Sequence, residues 1–389
     1  MERALQARVI EVADLGAPER ALWNALRDAD PLLASPYFDL RYIETAADCA
    51  PGARIAVLER GARIVGFLPF QRRGSVLQPL GAPLSDFHGL VAEPGVELAQ
   101  VLALLGAERM RFSGLVTREP AGELSVRHAM AADLSNGFEA YQAGRSAAFL
   151  KDKRRRARAL ERDHGQTVFT FERPTPDLLA WLVAQKRDQI RRTHQHDIFA
   201  CGWTQDLLHR LAKYDDADFC LRLAVLRAGG TIVAAELGLT SGDRHHLWFP
   251  IYDQDFARYS PGALMTLETL RAAAALGVAR VDFGPSEEAY KEDFAQPMEP
   301  VLEGTLAVRP SLMTHLRGAP GADRIDEVGR RLARRLDRIS ACEPGLIGQV
   351  RGGASFVTAL GRRHPKVGAG VGAGIGVIGL GLSIGLLAD

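Results

Sequence analysis

The feature that most constrains this chain is an internal repeat of one segment. Residues 54–66, RIAVLERGARIVG, align without a gap on residues 222–234, RLAVLRAGGTIVA, and seven of the thirteen positions are identical. Each copy has a β-rich run, a glycine-containing turn and a second β-rich run, which is typical of a β-hairpin. Further β-rich runs follow at 75–80 and at 245–252. The sequence predicts two copies of one antiparallel meander, although two hairpins rich in Val, Ile and Ala can also look alike by chance.

The second copy continues into a helix and a further strand. Ser260 suits an N-cap and Pro261 suits the first helical position. Apolar residues then recur at helical spacing up to Ala274, and residues 278–283 read as a strand. The free backbone N–H groups at such a helix start can bind an anion such as a pyrophosphate, but an ordinary capped helix explains the same pattern. The fold class that follows is α/β (α+β), with mixed, mainly antiparallel sheets flanked by helices.

Composition limits the domain count and the partners. A chain of 389 residues is longer than one compact core usually grows, so we expect two domains. The formal net charge is only +1, which gives no strong overall field for nucleic acid or an anionic surface. The four cysteines form no CxxC pair, and no HExxH pattern occurs, so we expect neither a disulfide framework nor a metal site.

The two ends of the chain differ in character. The N-terminal residues lack an apolar h-region and carry both charge signs, so they do not read as a secretory signal. Residues 367–388 carry no charge and are about long enough to cross a bilayer, although their many glycines weaken a helix. Cations at 362–366 would hold the upstream part on the cytoplasmic side. We expect a cytoplasmic protein, with the tail as a possible attachment to the inner face of the membrane.

Several short motifs occur in a characteristic order between residues 30 and 305. They are SPYF at 35–38, LG at 80–81, SDFHGL at 85–90, KDKRRR at 151–156, Lys186, Gln189, RT at 192–193, YD at 252–253, SPG at 260–262, DFG at 282–284 and YK at 290–291. In these motifs and their spacing the chain resembles the FemAB-related branch of the GNAT acyltransferase superfamily, and within it the CelD-like proteins associated with cellulose and exopolysaccharide synthesis.

The resemblance implies two GNAT-like lobes around one cleft. We place the first lobe at 1–135 and the second, which carries most of the motifs, at 136–308. A basic helical extension would follow at 309–366, and the apolar, Gly-rich tail at 367–389 is a candidate membrane anchor. The chain would transfer an acyl group, acetyl in the simplest case, from acyl-CoA as cosubstrate to a sugar of an exopolysaccharide precursor. No GxSxG elbow occurs, which agrees with direct transfer and no covalent intermediate.

The chemistry needs a base and a group that stabilises the oxyanion. Lys291 is the residue that the resemblance implies for the oxyanion or a donor phosphate, against the alternative of a surface lysine. Asp86, in a loop that the resemblance brings to the cleft, is the first candidate base. Glu236 is the second, because a carboxyl group among apolar residues has a raised pKa. Asp282 is the third and would orient a partner.

The predicted binding residues form a larger set. The substrate and donor candidates are Ser85, His88, Lys153, Arg154, Arg155, Arg158, Lys186, Gln189, Tyr252, Asp253, Ser260, Gly262 and Tyr290. Among them the arginines of the 149–164 segment could clamp a diphosphate of coenzyme A or of a nucleotide-linked or lipid-linked sugar acceptor. A solvated basic face is the alternative. Arginines around the apolar positions 325–339 also permit a cyclic dinucleotide as a regulatory ligand, or docking on the catalytic lobes.

Two other functions remain open at this point. An aminoacyl-tRNA-dependent transferase is permitted by the wider FemAB resemblance, and the low net charge argues mildly against it. The other alternative is a non-catalytic scaffold of a polysaccharide synthesis complex. A scaffold would bind no acyl-CoA, whereas in an enzyme the loss of Lys291 would abolish turnover without unfolding the chain.

Overall fold

The computed structural model describes residues 3–117, 124–193, 195–285, 288–308, 339 and 341–343. The chain divides into two compact units, one of Met1–Lys186 with Gln205–Arg309 and one of Arg187–Thr204 with Pro310–Asp389. The predicted extension at 309–366 and the tail at 367–389 lie outside the described residues, apart from residues 339 and 341–343. The predicted boundary between two lobes at residue 135 stays a prediction.

The elements of the described residues are as follows. The strands are β1 Leu5–Ile10, β2 Ala53–Arg60, β3 Arg63–Arg73, β4 Val76–Pro79, β5 Val91–Ala92, β6 Arg109–Leu115, β7 Ser125–Asp133, β8 Thr167–Glu172, β9 Phe219–Ala228, β10 Thr231–Ser241, β11 Arg244–Tyr252, β12 Arg280–Asp282 and β13 Gln296–Ala307. The helices are α1 Ala17–Ala29, α2 Leu40–Cys49, α3 Leu98–Leu104, α4 Gly137–Ala143, α5 Ala147–His164, α6 Pro176–Arg192, α7 Trp203–Leu211 and α8 Pro261–Ala275.

The described strands form one sheet of thirteen. Its order is β1-β2-β3-β4-β6-β13-β7-β12-β11-β10-β9-β8, and β5 pairs with β3. The neighbours β4–β6 and β11–β12 are parallel, and each of these pairs encloses a crossover helix, α3 or α8. The other pairs are antiparallel. The predicted mixed, mainly antiparallel sheet flanked by helices is confirmed.

The repeat in the sequence is a repeat in the structure. The hairpin β2–β3 and the hairpin β9–β10 occupy the two aligned segments, and β4 and β11 begin at aligned positions. Each hairpin has a β-bulge at the same place, because Val65 and Val233 are both skipped in the pairing register. A bulge inserts one unpaired residue and bends the strand. Its recurrence at an aligned valine favours a true repeat over a chance likeness of two apolar hairpins.

The two half-sheets exchange strands at the centre. We call β1–β4 and β6 the first half-sheet and β8–β12 the second. After β6 the chain enters β7, which pairs with β12 of the second half-sheet. After β12 it enters β13, which pairs with β6 of the first half-sheet and with β7. The strand that follows the first half-sheet therefore pairs with the second half-sheet, and the strand that follows the second pairs with the first. These pairings join the two half-sheets within the first compact unit.

Apolar side chains hold the helices against the sheet. In the first half-sheet, Leu68 and Phe70 share a buried cluster with Val101 and Leu102 of α3. In the second, Met265 of α8 shares a cluster with Leu160, Ala224 and Ala234. A third cluster joins α4, α8, β12 and Phe294. Full burial of one such large side chain contributes about 1.5–3 kcal/mol, so these clusters are the main source of stability.

Local signals explain where elements start and turn. Gly229 and Gly230 both have positive φ, 54° and 86°, as a two-residue hairpin turn requires. The side chain of Ser146 accepts a hydrogen bond from the N–H of Phe149 and caps α5. Ser260 stands at the predicted cap position of α8, but its side chain makes no capping bond and its backbone is left-handed, with φ 54°. The predicted hydroxyl cap at Ser260 is therefore wrong.

Among the helices that the structure describes, none is both long enough and apolar enough to span a membrane.

Candidate active site

The site lies where β11 and β12 separate. These parallel strands pair only between Arg244–His246 and Arg280–Asp282. Beyond that point β12 ends while β11 runs on to Tyr252, so residues 247–252 have no strand partner on the β12 side within the described chain. In α/β sheets, ligands bind outside the carboxyl ends of parallel strands, where neighbouring connections diverge. The slot beside β11 is such a place.

Glu236 is the buried carboxylic acid of this site. It lies in β10 opposite Pro250 of β11, and it is 6% exposed. Burial raises the pKa of Glu236 to about 7, because a carboxylate loses its hydration there, while Lys186, Lys291 and His246 pull the pKa down and Glu288 pushes it up. The group can therefore accept and release a proton near neutral pH.

Two lysines approach Glu236 from different elements. Lys186 of α6 donates to the carbonyl oxygen of Pro250 at 3.0 Å, and burial lowers the pKa of its ammonium. Lys291 is buried in a short 3-10 helix, where its ammonium donates to the carbonyl of Phe283 and lies 3.4 Å from a carboxylate oxygen of Glu288. Both backbone contacts fix the ammonium groups, so the positive charge beside Glu236 is positioned by the fold.

His246 stands between two carboxylates. Its Nε2 is 2.9 Å from Oδ2 of Asp86, and its Nδ1 is 3.8 Å from Oδ1 of Asp282. Burial alone would lower the pKa of His246, but Asp282 and Asp86 outweigh it and raise the pKa to about 9. The imidazole is therefore a cation at neutral pH, enclosed by two anions.

Aromatic rings enclose this histidine. Tyr37 packs edge-on against His246 with ring centroids 5.1 Å apart, and Phe87 does so at 5.7 Å. Tyr37 also packs on Tyr42 and Trp248. Burial, followed by the charge of Asp86, raises the pKa of the Tyr37 phenol, so this side chain remains neutral. The SPYF motif thus supplies a wall of the site through Tyr37.

The loop that carries Asp86 is held by its own neighbours. The hydroxyl of Ser85 bonds to the Tyr42 hydroxyl at 2.8 Å and donates to the Leu80 carbonyl at 2.7 Å. His88 is buried, its Nε2 accepts from the N–H of Gly114 at 3.3 Å, and burial lowers its pKa to about 3. These contacts give Ser85 and His88 a structural part in shaping the loop, and the ligand contacts predicted for them stay predictions.

The basic segment at 149–164 lies in the helix α5, and part of its charge is paired internally. Asp152 accepts from Arg155 at 2.6 Å and from Arg156 at 2.8 Å, and lies 3.3 Å from Lys153. Arg154 and Arg158 are exposed, with no ion-pair partner in the described part of the chain. The predicted diphosphate clamp is therefore left with these two arginines and the outer side of Arg155.

The remaining predicted residues lie at the ends of elements. Asp253 caps a 3-10 helix over Gln254–Tyr259 through the N–H of Asp255, and Gly262 is the second residue of α8. Tyr252, at the end of β11, and Tyr290, beside Lys291, are 43% and 48% exposed. Gln189 belongs to the second compact unit, which is described only in part. Their roles in binding stay predictions.

The structure also adds residues that the sequence did not single out as part of the site. His246 is not among the predicted site residues, and Tyr37 enters only as part of the SPYF motif. The signal that could have identified His246 is the repeat itself, because Gln78 occupies the same position in the first copy. In the described residues no group of three or more His, Cys, Asp or Glu side chains could hold a metal ion.

Comparison with known protein families fits this geometry. Residues 147–292 match the model of the acetyltransferase (GNAT) domain, and this range contains Glu236, His246, Asp282 and Lys291. The chain thus contains a segment that matches a GNAT acetyltransferase domain, which supports an acyltransferase. The matched domain implies acyl-CoA as a cosubstrate in general terms. No curated protein matches the sequence.

Several solved structures are similar to the chain at low sequence identity. The C-terminal domain of a putative lysylphosphatidylglycerol synthetase from Agrobacterium fabrum is 12% identical, with a TM-score of 0.49 and coverage of 81% of this chain and 96% of that one. A tandem GNAT protein from the clavulanic acid biosynthesis pathway is 13% identical, with a TM-score of 0.48 and coverage of 79% and 100%. FemX is 10% identical, with a TM-score of 0.49 and coverage of 79% and 99%.

Proposed function

We propose that the chain transfers an acyl group, acetyl in the simplest case, from acyl-CoA to an amine or hydroxyl group of a sugar in an exopolysaccharide precursor, with Glu236 as the general base. The observation that carries the proposal is the burial of Glu236 beside the open edge of β11, with a pKa of about 7 and two fixed lysines next to it. The sugar acceptor rests on the resemblance of the motifs to CelD-like proteins.

The proposed transfer is direct. Glu236 removes a proton from the acceptor nitrogen or oxygen, which attacks the thioester carbonyl. The bond between the acyl carbon and nitrogen or oxygen forms and the carbon–sulfur bond breaks. The leaving thiolate takes up, directly or through solvent, the proton that Glu236 accepted, which restores the Glu236 carboxylate. An ammonium group has three N–H donors. Lys291 uses one on the Phe283 carbonyl and directs one towards Glu288, so the third can stabilise the oxyanion.

The contacts of the two carboxyl groups favour Glu236 over Asp86 as the base. Asp86 lies 2.9 Å from the imidazolium of His246, so its carboxylate is already engaged in an ion pair. Glu236 has no hydrogen-bond partner among the described residues, and its burial raises its pKa to about 7, so it is free to take up a proton. In this proposal Asp86 forms a charged wall of the cleft, while Glu236 moves the proton.

The first half-sheet lacks the groups that this chemistry needs. The positions aligned with Glu236, His246 and Asp282 hold Leu68, Gln78 and Arg111. In the first half-sheet β4 is followed by a long loop that lies beside β6, where His88 forms a parallel bridge with Leu115. This loop thus occupies the space beside the end of β6, where β4 and β6 no longer pair. We therefore place one transfer site in the chain, in the second half-sheet.

The test is thiol release from acetyl-CoA by the full chain, with a panel of UDP-linked amino sugars and neutral sugars. We expect acceptor-dependent release, and a loss of roughly 10²–10⁴-fold in Glu236→Gln, as for removal of a general base. Glu59→Gln is the matched control, because Glu59 is a strand glutamate paired with Arg8 outside the site. Full activity of Glu236→Gln would refute the base assignment, and absence of acetyl-CoA binding would refute the donor.

One observation favours a second candidate, a donor carried on tRNA. Exposed cations follow one side of α5, namely Lys151, Arg154, Arg155, Arg158 and Arg162. Such a stripe can contact a phosphate backbone, and binding would then weaken steeply with salt. Aminoacyl-tRNA added to the same assay, at low and at physiological salt, separates the two donors. Transfer from the tRNA and none from acetyl-CoA would decide for the second candidate.

A further inference from the structure

His246 links two parts of the chain that are far apart in sequence. Asp86 is 160 residues away and comes from the loop that follows the first meander, whereas Asp282 ends β12 in the second half-sheet. Both ring nitrogens face a carboxylate oxygen, at 2.9 Å and 3.8 Å. The contact of Nε2 with Asp86 is a hydrogen bond, whereas Nδ1 makes no hydrogen bond and meets Asp282 only at ion-pair distance. The imidazolium therefore joins the first-half loop to the second half-sheet through charge.

The ring is not free to turn away. Its side chain is 0% exposed, and the rings of Tyr37 and Phe87 pack edge-on against it. Gly284 passes so close that an added Cβ would lie 3.4 Å from both Cε1 of His246 and Oδ2 of Asp86. A larger residue at 284 would also be strained, because its φ is +74°. The surroundings thus fix the ring in the orientation that meets both carboxylates.

The Asp86 loop is attached on two sides. The N–H of His88 donates to the Gly114 carbonyl at 3.1 Å, and the N–H of Val116 donates to the His88 carbonyl at 2.8 Å, which fixes the loop to β6 and the residue after it. Trp248 of β11 donates its indole N–H to the Leu84 carbonyl at 3.0 Å. The loop is thus a spacer between β6 and β11, and His246 is its charged contact with β11.

The positions of His246 and Asp86 relative to Glu236 connect this ion pair to the proposed reaction. His246 and Glu236 lie on neighbouring strands, and the positive charge of His246 acts on the carboxyl of Glu236. Asp86 is about half exposed, with 42% of its side chain accessible. The first copy of the repeat has Gln78 and Arg111 where the second has His246 and Asp282. The histidine–aspartate pair therefore occurs in the same copy as the base.

We propose that His246 is a positioning residue for acyl transfer, whose imidazolium holds the Asp86 loop against the end of β12 and so fixes the acceptor side of the cleft relative to Glu236. This inference rests on the proposed function, because it assumes that Glu236 serves as the base. His246 itself does not touch the reacting atoms. Its loss changes the position of Asp86 and the charge near Glu236, and leaves the backbone slot beside β11 in place.

The test compares His246→Gln with His245→Gln in the full chain. Glutamine keeps one N–H donor for Asp86 and loses the charge. His245 is the matched control, because it is the neighbouring buried histidine, is neutral with its pKa lowered to about 3, and bonds only to Thr240 at 2.9 Å in the described residues. The groups that face His246 or Glu236 and shape the pH profile are Asp86, Asp282, Tyr37, Lys186, Lys291, Glu288 and Tyr290.

Three results are expected. In His246→Gln, kcat falls by about a hundredfold, as for a misplaced reacting group, while the Kd for acetyl-CoA stays within a factor of two. The acid limb of kcat/KM moves to higher pH, because a cation near Glu236 is lost. In the wild type, nitrogen-15 spectra of labelled histidine show one ring, absent from His246→Gln, that keeps both N–H protons above pH 8. His245→Gln retains kcat and the pH profile.

Other outcomes refute the inference. A ring at 246 that loses its charge by pH 6.5, or a His246→Gln enzyme with unchanged kcat and pH profile, overturns it. If His246→Gln does not fold, the wild-type ring titration and Asp86→Asn decide, and a normal kcat in Asp86→Asn would contradict the proposal. Failure of the proposed function itself shows differently, as a wild type that binds acetyl-CoA with no acceptor-dependent release or does not bind it at all.

Discussion

Glu236 and Leu68 occupy the same position in two copies of one strand. Both are buried, Leu68 at 0% and Glu236 at 6% exposure. Leu68 lies in the apolar cluster of the first half-sheet, as expected for a strand facing a helix. A carboxyl group in the equivalent place destabilises the fold when it is ionised, because nothing replaces its lost hydration fully. This difference between the two copies therefore indicates that the second copy carries the reactive group.

We predict that one chain binds one molecule of acetyl-CoA. The second half-sheet has the open edge of β11 and the 15-residue helix α8 after it, whereas the first has a seven-residue crossover helix and its own loop beside β6. Isothermal titration calorimetry of the full chain should give a stoichiometry close to one. A value of two would show that the first half-sheet also accepts a donor, and would contradict the assignment of a single transfer site.

Glu236 should make stability fall as pH rises through the weakly acid range. Its pKa is about 7 in the folded chain against an ordinary 4.5, so between these values the folded state binds the proton that the unfolded state has lost. The contribution of protonated Glu236 to the free energy of unfolding is therefore fully present below pH 4.5. It declines between pH 4.5 and pH 7, by about 3 kcal/mol in total, and is constant above that range.

Urea unfolding of the wild type and Glu236→Gln at pH 5 and pH 8 measures this term. Groups common to both proteins cancel in the difference between the two variants. We expect Glu236→Gln to gain about 2.5 kcal/mol relative to the wild type on going from pH 5 to pH 8. A difference that does not change with pH would mean that Glu236 titrates normally.

Much of the fold was predictable because it is encoded locally. The hairpins β2–β3 and β9–β10 and the helix α8 after Ser260-Pro261 follow from period-two runs, turn glycines and a proline at the first helical position. The candidate base Glu236 was also predictable, because a lone carboxyl group among apolar strand residues is buried with the strand. The local prediction that failed is the hydroxyl cap of α8, because Ser260 adopts a left-handed conformation with φ 54° and its side chain makes no capping bond.

The rest depends on contacts between distant residues. Nothing in the spacing shows that β7 crosses to β12 or that β13 crosses to β6, because strand period carries no information on the partner. The contact of His246 with Asp86 depends on that arrangement. Within SDFHGL, adjacent side chains point to different partners, Ser85 to Tyr42, Asp86 to His246 and His88 to Gly114, so the motif alone does not tell which one faces the cleft.

Asp39 should be important for stability. It is 3% exposed and accepts hydrogen bonds from Arg27 at 3.2 Å, from Arg41 at 2.9 Å and from Ser241 of the second half-sheet at 2.7 Å. Burial would raise its pKa, but Arg41, Arg27 and Ser241 outweigh this and lower it. Asp39→Ala would leave the partially buried Arg27 without its anion, so we expect a loss of about 3–5 kcal/mol in the free energy of unfolding.

The control for Asp39 is Asp48→Ala. Asp48 pairs with Arg210 at 3.2 Å, but both side chains are at least half exposed, so its loss should cost at most about 1 kcal/mol. Because the pKa of Asp39 is lowered, its contribution exists above its ordinary value of 3.8 and disappears as the pH falls through the lower folded value. Equal melting temperatures of the two variants would show that the buried network does not hold the half-sheets together.

Gly114 should tolerate no side chain, because the Asp86 loop lies directly against it. A Cβ built on Gly114 would stand 1.9 Å from the carbonyl oxygen of Asp86, which is backbone and has little room to shift. Gly114→Ala must therefore push the loop away from β6, at a cost of about 1–3 kcal/mol, as for overpacking in a core. Gly144→Ala is the control, since a Cβ added there would have its nearest neighbour at 3.4 Å and the φ of Gly144 is not positive.

Thermal unfolding and acyl-transfer kinetics of both variants measure this effect. Gly114→Ala should lose stability and kcat together, while Gly144→Ala keeps both. A Gly114→Ala enzyme with normal kcat would show that the position of the Asp86 loop does not matter for transfer.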